Sequence, residues 1–177
     1  CLLASGVFSA VGLFLRGPVV LPTADPDRWA EVAQIATHDL AWAILLPSLT
    51  LQLFGFIALY AYVKDSAQDR IAFWGMVLSI AGNGLFMPFT GILAFVDPVV
   101  ARFYQAGSAE ILAIATAGVE APFSGALLAA SGIILLLGSV LITILLWRSP
   151  KLPAWTAIPY LLHAFGLTLA APFSYAL

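Results

Sequence analysis

The chain has 177 residues, 62% of them apolar and only 9% charged, with a formal net charge of −2. Soluble domains carry about 25% charged residues, so composition alone makes lipid rather than water the main solvent. Charges this few and dispersed offer no footing for nucleic acid, and a single cysteine excludes an internal disulfide or a multi-thiolate metal site.

Cys1–Leu15 is the first apolar run, ended by Arg16, whose long side chain can reach phosphate headgroups. A chain that opens on Cys fits either a first helix lacking its beginning or a lipoprotein cut before a lipidated cysteine. The connection that follows, Leu21-Pro22-Thr23-Ala24-Asp25-Pro26-Asp27, reads as a turn, with Asp27 placed to cap a helical segment that starts at Arg28 and runs into the second span. Four further runs hold no Asp, Glu, Lys or Arg: Leu40–Val63, Ile71–Val96, Ala121–Trp147 and Leu152–Leu177. Each exceeds the roughly 20 residues that a helix needs to cross hydrocarbon. The expected fold is therefore all-α, a single polytopic membrane bundle over residues 1–177. Its spans fall near 1–21, 40–63, 71–96, 121–147 and 153–176. The connection 97–120 is too polar to cross, yet Ile111, Leu112 and Ile114 make part of it apolar, which predicts a short interfacial helix.

Charge sets an expected orientation. Lys64, Arg70, Arg148 and Lys151 edge two short connections, whereas the two longer ones hold seven of the nine acids and three arginines. Cytoplasmic loops collect Lys and Arg, so the N-terminus is expected in the cytoplasm, most naturally of a bacterial inner membrane. Tyr60, Tyr62, Trp74, Trp147 and Trp155 would then form an inner aromatic belt. Trp29, Trp42, Tyr104 and Tyr175 would form the outer one.

Lipid gives helices no hydrophobic reason to associate, so small residues that admit close backbone approach mark packing faces. Gly75, Ser79 and Gly82, with Asn83 beside them, make such a face on the third span. Gly125, Ala129, Gly132 and Ser139 make one on the fourth. Pro47, Pro88, Pro159 and Pro172 lie inside or near the ends of spans and can kink them.

Few residues could carry chemistry. His163 falls near the middle of the last span, where a neutral imidazole can ligate a metal or the central ion of a tetrapyrrole, and Gly166 would leave room for a flat ring. His38 is the other axial-ligand candidate, at a separate site, with Asp39 able to orient its ring or cap the second span. The two histidines differ in depth by about 20 Å at ~1.5 Å per residue, so one haem cannot join them. Asn83 can bond across helices or hold a ligand's carbonyl. The order Asp25, Asp27, Trp29, His38, Leu59, Tyr60 resembles that of many small bacterial multi-pass proteins, and that resemblance transfers no activity.

The motifs of hydrolases, zinc proteases and phosphate-binding loops do not occur, and no Asp, Glu, Lys or Arg lies deep in the last four spans. The reading that follows is a non-enzymatic accessory or scaffold subunit of a larger membrane complex, respiratory or photosynthetic in kind. Its partners would be membrane lipids and other membrane protein subunits. Its cofactor would be a tetrapyrrole (chlorophyll-type or haem), carotenoid, quinone or bound lipid. A small carrier or binding protein for an apolar or neutral molecule is the alternative. An enzyme using His38 and Asp39 at the outer interface ranks third.

Overall fold

In the computed structural model the described residues are 2–64, 67–150, 152–158 and 160–161. Seven α-helices follow in order: α1 (Leu2–Arg16), α2 (Pro26–Ala33), α3 (His38–Val63), α4 (Asp69–Gly91), α5 (Asp97–Gln105), α6 (Glu110–Glu120) and α7 (Pro122–Arg148). A π-turn over Ile92–Val96 joins α4 to α5, and a 3-10 turn lies at Ala154–Thr156; no strand occurs among the described residues.

Among the described residues three helices are long and apolar enough to cross a membrane: His38–Val63, Asp69–Gln105 and Pro122–Arg148. The middle one has 37 residues, because the helix runs on through the π-turn instead of stopping at Val96. At ~1.5 Å per residue it is about 55 Å long against roughly 30 Å of hydrocarbon. Helix α1 has 15 residues and is shorter than a full span. Most of the expected fifth span, 153–176, lies outside the described residues.

Two antiparallel pairs form the bundle. On α1 and α3, Gly12 meets Leu45, the Ser9 and Ser48 hydroxyls lie 3.0 Å apart, Ser5 Oγ donates to the Ser48 carbonyl at 2.9 Å, and Leu2 meets Gly55. On α4 and α7 the contacts are Gly75 with Ile142, Ser79 with Gly138, and Gly82 with Leu135. A methyl group on Gly82 would stand 2.6 Å from the backbone nitrogen of Leu135, so only a glycine lets these two backbones approach so closely. Gly138 closes on the Ser79 backbone nitrogen in the same way, also at 2.6 Å.

The Gly75–Ser79–Gly82 face is thus a packing face, as its sequence suggests. On α7 the packing face is a different one: Ser131, Leu135, Gly138, Ser139, Ile142, Leu145 and Leu146 are buried, whereas Gly125 and Gly132 face open space. Of the expected ridge only Ser139 stays in contact. Helix α7 is apolar all round, so no polar side marks its back, and small residues on two faces compete equally as a seam.

At the end where α1 finishes and α3 begins, α2 lies against α5 and caps the bundle. Trp29, Ala30, Ala33 and Ala101 form its core, with Val100, Tyr104 and Leu112 against them. Asp25, rather than Asp27, caps α2: its side chain accepts the Arg28 amide at 3.0 Å, and Pro26 follows at the first helical turn, where a missing N–H costs nothing. Asp27 instead accepts the Tyr104 hydroxyl at 2.9 Å. The aromatic expectation divides by end. Tyr62, Trp74, Trp147 and Trp155 are all more than half exposed, at 53–67%. Trp29 and Trp42 are instead buried, at 3% and 6%, so at the capped end the indoles are core side chains and not a lipid belt.

Candidate functional site at the capped end

The site begins with a proline. Pro98 has no N–H to give the carbonyl four residues before it, which is that of Ala94, and its ring crowds the same carbonyl. The chain answers with the π-turn, in which the Asp97 amide reaches back to the Ile92 carbonyl. His38, the first residue of α3 and 7% exposed, takes up the Ala94 carbonyl through Nε2 at 3.1 Å. A carbonyl only accepts, so Nε2 carries the proton, and in the neutral ring Nδ1 keeps the lone pair.

The π-turn also sets the direction of Asp97. Its carboxylate takes a long hydrogen bond, 3.4 Å, from the indole Nε1 of Trp29 on α2. Arg16, Trp29, His38 and Asp97 line one cleft with Val20, Val32 and Leu93. The Arg16 guanidinium carbon lies 5.4 Å from the centre of the Trp42 ring, a cation–π distance, and the Trp42 ring lies 6.2 Å from that of His38. Thr37 Oγ1 donates to the Leu15 carbonyl at 2.7 Å, fastening the last turn of α1 to the start of α3. One cation, one carboxylate and one imidazole thus join α1, α2, α3 and the α4–α5 junction. The cleft among them measures about 20 Å³, room for one water and far too small for a macrocycle.

The sequence candidates fall differently from their expected grouping. His38 is at the centre of the site. Asp39 is exposed on α3 and turned away from the cleft, so the acid that shares the cleft with His38 is Asp97, 59 positions along the chain from it. The one hint in the sequence was an Asp-Pro pair directly ending an apolar run. Asn83 is buried on the α4–α7 side, and its Nδ2 donates to the Ser79 carbonyl of its own helix at 2.8 Å, which commits that donor to the backbone. His163 and Gly166 lie outside the described residues. Among the described residues no three His, Cys, Asp or Glu side chains come together to hold a metal ion.

Among the described residues, fold and site together define an all-helical membrane protein with three helices able to span a membrane and a charged joint at one end. Comparison with protein-family models, curated proteins and solved structures finds no match.

Proposed function

We propose that this chain is a non-enzymatic scaffold or accessory subunit of a larger membrane assembly. In this reading it crosses a bacterial inner membrane five times with its N-terminus in the cytoplasm, and packs against other membrane subunits and bound lipid. The observation that carries the reading is the α4–α7 seam. Gly75, Ser79, Gly82 and Gly138 bring two long helices to backbone contact, and the nearby Asn83 and Thr143 side chains bond to backbone carbonyls of their own helices. A carrier would need a mid-membrane cavity beside Asn83, and the Gly75–Ser79–Gly82 face there closes on Leu135, Gly138 and Ile142 of α7. An interfacial enzyme built on His38 and Asp39 would need the two side chains to act together, and they point apart.

The basic residues Lys64, Arg70 and Arg148 at the uncapped end support the orientation, since short loops rich in Lys and Arg stay in the cytoplasm. Gentle solubilisation of the tagged full chain, with size measurement, an absorption spectrum and identification of co-purifying chains, tests the proposal. The expected result is a defined, stoichiometric assembly well above the 18.7 kDa of the chain. A colourless, monodisperse single chain would overturn it, and saturable uptake of a small molecule by that chain would favour the carrier.

A further inference from the structure

The cap has two unlike outer faces. On α5 the side turned to α2 holds Asp97, Ala101 and Tyr104, spaced four and three residues apart. Directly opposite, at four-residue spacing, stand Phe95, Val99 and Phe103, exposed to 65%, 40% and 54%, with Val96 beside them. On α2 the relation inverts: Trp29, Ala30 and Ala33 are buried against α5, the opposite side presents Arg28 and Glu31, both exposed, and Asp27, also exposed, stands on the flank where it accepts the Tyr104 hydroxyl. One side of this two-helix cap is therefore apolar and the other ionic.

We propose that the Phe95–Val99–Phe103 face, carried by the π-turn and α5, is immersed among the lipid acyl chains while the charged face of α2 stands in water. The occupant of the apolar face is lipid because that face continues, without a break in the helix, from a span-length apolar helix. Arg102, exposed on the flank between the two faces, stands at the height of the phosphates. The proposal does not depend on the scaffold reading. It moves the lipid boundary past Asp97, so that the Arg16–His38–Asp97 joint sits below the headgroups and is shielded from water by α2.

Nitroxide labels test the arrangement in the full chain, one at a time, at Phe95→Cys, Val99→Cys, Phe103→Cys, Asp27→Cys and Glu31→Cys, each in a Cys1→Ser background. The protein is reconstituted in phosphatidylcholine vesicles containing phosphatidylglycerol. Collision with oxygen, against collision with a water-soluble nickel chelate, gives the depth of each label. Labels at 95, 99 and 103 are expected below the phosphates, with 95 the deepest, and those at 27 and 31 above them. Nickel access at 99 and 103 equal to that at 31 would overturn the proposal by placing α5 in water. Loss of both collisions there, or spin–spin broadening, would overturn it by placing another protein or a second copy on the face. Each label position is read independently, so failure of one variant to fold leaves the others decisive.

Discussion

The Nε2–H of His38 donates at 3.1 Å to the carbonyl of Ala94, the one carbonyl that Pro98 cannot serve. The proline and the histidine thus solve one problem between them. A buried acceptor lost to the helix ladder is met by a side chain from α3, and the resulting widening of the helix points Asp97 at Trp29. Pro98→Ala restores the missing N–H. The π-turn should then relax to a regular α-turn and rotate α5 against α4 by about 100°, one residue's worth of helical phase. Trp29 would leave its core and its fluorescence shift to the red; an unchanged emission spectrum would show that α2 holds the π-turn in place without the proline.

His38 is expected to matter through that acceptor and not through size. His38→Leu leaves the Ala94 carbonyl buried and unpaired, at a cost of about 1–3 kcal/mol. His38→Gln can still present an N–H and should keep more of the stability. Thermal unfolding of both variants in the same detergent decides this, and equal losses would mean that packing of the ring, and not the hydrogen bond, holds α3 to the π-turn.

Glycine substitutions should divide sharply by face. Gly82→Ala and Gly138→Ala force a methyl group to 2.6 Å from a backbone nitrogen of the facing helix. The helices must part, with a loss of about 1–3 kcal/mol. Gly125→Ala and Gly132→Ala meet open space and should be neutral or gain up to ~1 kcal/mol from better helix propensity. Denaturation by a graded sodium dodecyl sulfate series measures both pairs. If Gly132→Ala proves the more damaging, the seam on α7 is misassigned.

The contrast between those two glycine pairs also marks how far the sequence could be read. Long apolar runs free of charge place α3, α4 and α7 to within a few residues, because lipid imposes one length and one polarity on any crossing helix. The face that each helix buries is less legible. The α4 seam stands out since Gly75, Ser79 and Gly82 recur at four- and three-residue spacing with bulky residues between most of them, whereas α7 scatters small residues around its circumference. The site was half visible. His38 stands out as a lone histidine at a helix start, but the acid its sequence offers is the neighbouring Asp39, which α-helical geometry turns to another side. Asp97 reaches the site only through a π-turn, and a change of helical phase leaves no periodic trace in sequence.

The two polar fastenings between α2 and α5 should differ greatly in weight. Tyr104 donates to Asp27 at 2.9 Å in an exposed position, where water replaces either partner readily. Tyr104→Phe is therefore expected to leave the melting temperature unmoved. Trp29 has its hydrogen bond to Asp97 and is also 3% exposed among Ala30, Ala33 and Ala101. Trp29→Ala empties that core at a cost of about 3–5 kcal/mol. Trp29→Phe refills most of the volume without the N–H and should recover the larger part of the loss. Melting of the three variants, with protease cleavage between residues 17 and 37 as a local readout, separates the contributions. A Trp29→Phe protein as labile to protease as Trp29→Ala would show instead that the Asp97 hydrogen bond, despite its length, is what keeps α2 seated.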